Sequence, residues 1–182
     1  MALKSNIIYN KVTREKITWI ETSHDTNGER LTFLFEVAPG GKLPVTHYHP
    51  EQTESFNVTT GVFQVKLPDG IHTVNAGERL VIPKGIPHKW WNKSGSNSAK
   101  MMVTFEPALN TETFLEQFYG LSNDGKTKPD GTPAFLQLMV WVNKYQVFIM
   151  GPPFFIQKLM GYILGGVARL FGFKNYYPQY SR

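Results

Sequence analysis

The feature that most constrains the fold is a run of short segments in which apolar and polar residues alternate. LTFLFEV (31–37) would place four apolar side chains on one face of a strand, with Thr32 and Glu36 on the other. Similar segments, separated by Gly, Pro, Asn and Asp turns, follow at 54–58, 62–67, 78–83, 88–92 and 100–106. Strands this short and this closely spaced predict a mainly β sandwich or barrel.

The segments after the last strand have a helical character. TETFLEQFYGL (111–121) opens with a Thr that could cap a helix and ends beside a Gly. Residues 134–150 and 153–173 are predicted as two apolar helices divided at 151–153 by Gly-Pro-Pro. The 182 residues suit one barrel with an appendage.

We therefore predict a β-barrel over residues 1–110 and a helical extension over 111–182, packed on the barrel or on a partner subunit. In the last helix, three glycines share a narrow face with Lys158 and Arg169, and large apolar residues form the opposite face. That apolar face is expected to dock on the barrel, a second subunit or a membrane surface. Two basic residues are few for a membrane surface.

Composition excludes several function classes. The net charge of +5 is spread along the chain without a Lys/Arg run, which argues against nucleic-acid binding. The chain has no cysteine, so disulfide and thiolate chemistry are absent. The N-terminus is too charged for a signal-peptide core, and no clean apolar stretch is long enough to span a membrane. A cytoplasmic location is the expectation.

A cluster of histidines points to metal chemistry. In THYHPEQTE (46–54), His47 and His49 would share one face of a strand, and Glu54 would begin the returning strand beside them. His88 follows a Pro-Gly turn on a later strand and could supply a fourth ligand. Imidazoles and a carboxylate that converge suit a divalent transition metal. The alternative is exposed strand histidines and a surface glutamate.

These two stretches resemble the two sequence motifs of the cupin superfamily. The residues that match the first motif are Gly41, His47, His49, Glu54 and Gly61, and those that match the second are Gly77, Pro83, Gly85, His88 and Asn92. Fifteen residues, 62–76, separate the motifs, as in compact single-domain cupins. The resemblance covers residues 30–107 firmly. More loosely, residues 165–180 resemble the tail of small bacterial cupin proteins.

The resemblance implies a mainly β fold, the cupin double-stranded β-helix or jelly-roll barrel, here with C-terminal helices. It also implies one divalent metal ion (Mn, Fe, Ni, Cu or Zn) held by His47, His49, Glu54 and His88. Such a ligand set leaves one or two coordination positions for water, substrate or dioxygen. Because cupins commonly associate through their barrels, a homodimer is expected.

Strand alternation predicts an aromatic cavity over the metal. The candidate lining residues are Phe33, Phe56, Phe63, Trp90 and Phe105. An apolar cavity suits a partly aromatic or enolic small molecule better than a bare sugar. The alternative is that these rings only fill the barrel core. His24 and His72 are predicted to lie in solvated loops.

The favoured function is a dioxygenase-like oxidoreductase, in which Glu54 could act as a base. One alternative is a metal-dependent isomerase, lyase or cyclase that acts on a small carbonyl or sugar-derived compound. The other is a cupin that binds a ligand without turnover. In each case the partner is a small molecule.

Overall fold

In the computed structural model, which describes residues 2–43 and 45–181, eleven β-strands and three helices follow one another along the chain. The strands are β1 (Ile7–Asn10), β2 (Glu15–Glu21), β3 (Leu31–Val37), β4 (His47–Tyr48), β5 (Thr53–Thr60), β6 (Val62–Leu67), β7 (Gly70–Asn75), β8 (Arg79–Ile82), β9 (Lys89–Asn92), β10 (Ala99–Glu106) and β11 (Phe148–Ile149). The helices are α1 (Thr111–Asn123), α2 (Phe135–Tyr145) and α3 (Phe154–Leu170). The prediction of a mainly β fold with C-terminal helices is confirmed.

Two antiparallel sheets build the barrel. The larger has the strand order β1-β2-β3-β10-β5-β8, and the smaller has the order β7-β6-β9. Buried side chains from both sheets belong to one hydrophobic core. Within it, Trp19 of β2 and Phe33 of β3 meet edge to face, with ring centroids 5.5 Å apart. Aromatic pairs in this geometry add attraction beyond the burial of their area.

Strand β3 shows how alternation sets the inner face of the barrel. Leu31, Phe33, Phe35 and Val37 are buried, as their spacing predicts. Strands β1, β2, β7 and β11 were not predicted from the sequence, whereas β4 is the strand predicted to carry His47. The prediction that His72 lies in a loop is therefore wrong, because it belongs to β7, where its Nε2 lies 2.9 Å from Asp69 Oδ1.

The helices differ from their predicted bounds at both ends. Thr111 lies inside α1, after the N-cap residue Asn110, and does not cap the helix. The helix also continues through Gly120 to Asn123, and the lack of a side chain at Gly120 leaves room for the ring of Tyr180. Helix α2 ends at Tyr145 because Gln146 takes a left-handed conformation with φ of 53°. Strand β11, not helix, follows.

Helix α3 packs on α2 through its glycine face. Gly161, Gly165 and Ala168 are buried there, and a Cβ atom at Gly165 would lie 2.7 Å from the backbone oxygen of Met139. The backbones of the two helices therefore touch at a point that only glycine permits. Glycine at such contacts lets helices approach closely.

The apolar face of α3 points outward, which corrects the expectation that it docks on the barrel. Its exposed side chains include Phe155, Leu159, Ile163 and Leu170. The small residues of α3, and not the large ones, contact α2, because the backbones of the two helices lie too close together for larger side chains to fit between them. None of the described helices is long and apolar enough to cross a membrane. Docking on a second subunit or on a membrane surface stays a prediction.

Two neighbouring glycines of α3 test this contact. Gly165→Ala is expected to lower the free energy of unfolding by about 1–3 kcal/mol, because the added methyl group overpacks the α2–α3 contact. Gly166→Ala is the matched control, since no neighbouring atom lies within 4 Å of the position that its added methyl group would take. It should leave stability unchanged or raise it by up to ~1 kcal/mol through helix propensity. Urea denaturation measures both, and equal effects would contradict the packing argument.

Candidate metal centre

Backbone pairing brings two of the predicted ligands side by side. The N–H of His47 donates to the carbonyl of His88 at 2.9 Å, and the N–H of His88 donates back to His47 at 2.8 Å. The carbonyl of His49 accepts from the N–H of Gly85 at 2.8 Å. The segment that carries the first two histidines is thus held against the Pro-Gly turn that precedes the third.

Glu54 enters the site from the larger sheet. On β5 it pairs with Ile82 of β8 on one side and Phe105 of β10 on the other. The turn between His49 and Glu54 is anchored by Gln52, which is 2% exposed. The Gln52 amide donates to the carbonyls of residues 107 and 108 and to the Thr111 hydroxyl, at 2.9, 3.1 and 2.7 Å. The start of α1 therefore fixes this turn.

The four side chains converge on one point. One candidate ligand atom from each of His47, His49, Glu54 and His88 lies within 4.8 Å of the other three. Nε2 of His88 is 2.8 Å from Oε2 of Glu54, and Nε2 of His49 is 3.7 Å from the same oxygen. Atoms that each lie about 2.1 Å from an ion are at most about 4.2 Å apart. Shifts of a few tenths of an ångström would fit the group around a metal.

The candidate ligand atoms are buried and without hydrogen-bond partners. These atoms include Nε2 of His49, Nε2 of His88 and Oε2 of Glu54. The 2.8 Å contact between the last two is a charge interaction that is too poorly aligned to count as a full hydrogen bond, so a bound ion could replace it. Nδ1 of His88 lies 3.0 Å from the carbonyl of Ile86, to which it can donate, and this leaves Nε2 as the ligand. Buried polar atoms are otherwise almost always bonded, so the donor set fits a metal.

The electrostatics of the cluster favour neutral imidazoles at two positions. Burial lowers the pKa of His49 to about 4, and burial together with His88 and His49 holds the pKa of His47 well below its usual value. Burial also opposes charge on His88, but the Glu54 carboxylate outweighs it and raises the pKa of His88. A metal ligand must be a neutral imidazole, so His47 and His49 are already in the binding form at neutral pH.

The cluster opens onto a cavity of about 190 Å³. His47, His49 and Glu54 line it together with aromatic side chains of the barrel and of α1. The aromatic lining residues are Phe33, Phe35, Phe56, Trp90, Phe105, Phe114, Phe118 and Tyr119. The lining also includes Val147 and Ile149, and β11 pairs Ile149 with His47 of β4. The C-terminal extension thus supplies part of the wall.

Four of the five residues predicted to line the cavity do so, and Phe63 does not. The fully buried Phe63 ring packs behind the lining, 5.2 Å from the ring of Phe56 and 5.4 Å from that of Trp90. Alternation predicted that the Phe63 ring points inward, but it did not predict that Phe56 and Trp90 line the cavity in its place.

A search of family models adds an independent observation. The model for the cupin domain matches residues 33–105, which contain all four clustered side chains. The chain carries a cupin domain. An oxidoreductase of Arthrobotrys oligospora is 26% identical over 159 residues, which cover 78% of this chain and 60% of that protein. Protein SchB of Streptomyces halstedii is 37% identical over 71 residues, which cover 39% and 50%.

The relatives extend beyond this chain. The chain spans between half and three fifths of the length of those two proteins. Among solved structures, an RmlC-like cupin from Shewanella frigidimarina has a TM-score of 0.49 at 19% identity, with 58% of this chain and 86% of that chain covered.

The sequence analysis missed the contribution of α1 and of β2 to the cavity. Tyr119 of α1 and Glu15 of β2 both line it, outside the cupin domain. One signal for Glu15 is present in the sequence: in EKITWIE (15–21) it alternates with Ile17 and Trp19, which are buried. A carboxyl group on an inward-facing strand position is unusual and could have been noticed.

Asn92 of the cupin domain is expected to support stability and not metal binding. Its amide donates to the carbonyls of Val37, Ala38 and Asn97 at 3.1, 3.1 and 2.8 Å, and its oxygen accepts from the N–H of Ser94 at 3.0 Å. Asn92→Ala should cost about 2–3 kcal/mol of unfolding free energy, because buried carbonyls lose their donors.

Asn57→Ala is the control for this variant, because Asn57 is exposed on β5. It should change the unfolding free energy by less than about 0.5 kcal/mol. Chemical denaturation and metal analysis of both variants check the prediction. Folded Asn92→Ala protein that has lost its metal would contradict it.

Proposed function

We propose that the protein binds one divalent transition metal ion through His47, His49, Glu54 and His88 and acts as a dioxygenase-type oxidoreductase. Its substrate would be a small, partly aromatic or enolic compound. The observation that carries this proposal is the buried set of unpartnered ligand atoms at the edge of an apolar cavity. The Arthrobotrys oligospora relative, an oxidoreductase, supports the reaction class.

The side chains around the centre have distinct roles in this proposal. A bound redox-active metal would supply dioxygen activation and polarisation of an enolic oxygen. Glu54 lies beside the substrate space and can accept a proton from an enol or hydroxyl group. Phe105, whose ring centroid is 5.3 Å from that of His49, would hold an aromatic substrate against the centre. The apolar walls keep bulk water away from the reacting group.

Metal reconstitution and oxygen uptake test the proposal. The protein is stripped of metal, loaded in turn with Mn, Fe, Ni, Cu or Zn, and mixed with a panel of flavonols, diketones and catechols. At least one redox-active form should consume dioxygen with loss of substrate. The Zn form should bind the same compounds without oxygen uptake, because Zn²⁺ has no redox chemistry.

Each other outcome identifies a different function. Conversion of a compound at equal rates with and without dioxygen would replace the proposal by an isomerase, lyase or cyclase. Tight binding with no conversion by any metal form would leave a ligand-binding protein. Either result would refute dioxygenase activity for this panel.

A further inference from the structure

A second polar group lies in the cavity, away from the metal centre. Glu15 of β2 and Tyr119 of α1 are 5% and 2% exposed, and both line the cavity. The hydroxyl of Tyr119 donates to Oε2 of Glu15 at 2.9 Å. Apart from these residues and the metal cluster, most of the cavity wall is apolar, so a polar pair here can orient a ligand.

Strand register separates this pair from the metal centre. Glu15 pairs with Val37 at one end of β3, whereas Leu31 at the other end pairs with Phe105, the cross-strand neighbour of Glu54. Six residues of strand correspond to about 20 Å between backbone positions. One functional group of a ligand therefore cannot reach both ends of the cavity.

The Glu15 end has unused hydrogen-bonding capacity. In the described part of the chain, Tyr119 makes the one well-aligned side-chain hydrogen bond to the Glu15 carboxyl group, and the Thr13 hydroxyl makes a poorly aligned contact with the same group. The buried Thr13 hydroxyl has no well-aligned hydrogen-bond partner, and Thr13 also lines the cavity. Because buried polar groups are normally paired, a ligand group that reaches this end gains bonds that the protein does not make by itself.

The protonation states of the pair decide which ligand group suits it. Burial raises the pKa of Glu15 to about 7, and burial and the neighbouring Glu15 raise the pKa of Tyr119 well above its usual value. Below pH 7 the carboxyl group is mostly protonated and can donate a hydrogen bond. Lys42, the one cation among the described residues that line the cavity, is exposed to solvent, so no buried cation is available at this end to pair with a carboxylate on a ligand.

We propose that Glu15, with Tyr119 and Thr13, forms a second binding subsite that takes a neutral oxygen acceptor, such as a ketone or ester carbonyl, of a largely apolar ligand. The inference extends the proposed function, and rests on it for the role of the other end of the ligand. The substrate would then carry two polar groups, one at the metal centre and one at Glu15, joined by an apolar body.

Groups from several elements face Glu15 and bear on its pH dependence. Tyr119 contributes a phenol from α1 and Thr13 a hydroxyl from the β1–β2 turn. Lys42 and Asp130 have opposite charges and are exposed at the rim of the cavity, near Thr13. The neighbours in register, Asn10 of β1 and Val37 of β3, are uncharged. Glu15 is therefore the group that should dominate titration of the subsite between pH 5 and 9.

Two probes of similar size and shape test the subsite. Acetophenone carries a carbonyl acceptor and ethylbenzene does not, and neither probe ionises between pH 5 and 9. Their dissociation constants are measured by NMR titration of the full-length protein. Between wild type and Glu15→Leu, the preference for acetophenone relative to ethylbenzene should fall about tenfold at pH 5.5.

The pH profile separates a subsite from a merely structural role. In wild type the preference should fall by a similar factor between pH 5.5 and 8.5, as Glu15 loses its donor proton. Glu15→Gln keeps a donor that does not titrate, so its preference should stay constant and close to the low-pH value of wild type. Equal preferences in wild type and Glu15→Leu, or no binding of either probe, would overturn the proposal.

The titration is repeated in His49→Ala protein to separate the two proposals. The Glu15-dependent preference should persist there, because the subsite does not touch the metal ligands. Failure of the proposed function would appear as missing metal or missing oxygen uptake, and neither quantity enters the ratio of probe affinities. A preference that vanishes in His49→Ala but not in Glu15→Leu would place the carbonyl at the metal centre and refute the subsite.

Discussion

His49→Ala protein is expected to purify with close to no bound transition metal, whereas wild type should carry about one ion per chain. His49 offers a buried Nε2 without a hydrogen-bond partner, so its loss removes a ligand that is already oriented. Removal of a residue that only supports a ligand typically weakens metal binding by about 10–100-fold. Removal of a ligand itself should exceed that range. Elemental analysis after dialysis against a defined metal concentration measures the difference.

His72→Ala is the matched control for this experiment. His72 lies on β7 outside the cluster, so its loss removes an imidazole without touching the four ligands. The variant should retain the metal content of wild type. Wild-type protein that stays metal-free after incubation with each of the five metals would refute the metal prediction, as would His49→Ala protein that binds as tightly as wild type.

Glu15→Gln should make the protein more stable than wild type at pH 8, by about 2–3 kcal/mol. Burial raises the pKa of Glu15 from 4.5 to about 7. As pH rises, Glu15 therefore loses its proton in the unfolded chain before it does so in the folded protein. Between these two pKa values, folding requires the carboxyl group to take up a proton. The contribution of Glu15 to the stability of wild type is fully present below pH 4.5 and is lost as pH rises through about 7. The difference between the two proteins should vanish near pH 4.5. Urea denaturation across pH 4.5–8.5 measures it.

Glu36→Gln provides a control of opposite sign. A hydrogen bond from Lys16, at 2.8 Å, lowers the pKa of Glu36, so this carboxylate stabilises the fold when ionised. That contribution is present above the unfolded pKa and is lost as pH falls through the lower folded value. Glu36→Gln should therefore be less stable than wild type at neutral pH. Parallel profiles for wild type and Glu15→Gln would show that Glu15 does not titrate as a buried acid.

The sequence predicted the parts of the site that local pattern determines. Alternation along β3 and the spacing of His47, His49 and Glu54 depend on neighbouring residues, so strand geometry alone predicts which side chains face inward. His88 could be suggested as a fourth ligand from its place after a Pro-Gly turn, but the motif resemblance was needed to assign it to the same site as His47. A ring that is buried behind the cavity wall, such as Phe63, occupies the same alternating strand position as a ring that lines the cavity. Alternation alone could therefore not tell the two apart.

The remaining features depend on contacts between distant parts of the chain. Glu15 and Tyr119 are 104 residues apart, and no local pattern indicates that α1 lies along the barrel. Docking of the apolar face of α3 on the barrel was one expectation from the sequence, because the hydrophobicity of its large residues suggested that they are buried. Gly161 and Gly165 instead allow direct contact with α2, and the free energy of such packing depends on shape that composition does not reveal.

The position of β11 beside the cavity matters when the function of one protein is inferred from a homologue. The match to the cupin-domain model ends at residue 105, yet the cavity wall continues through α1 and α2 to Ile149. Two homologues with identical metal ligands but different tails would enclose differently shaped spaces. Reaction chemistry can then be inherited with the barrel while substrate choice diverges with the tail. A substrate assigned by similarity across the barrel alone would be assigned without a part of the molecule that lines the cavity.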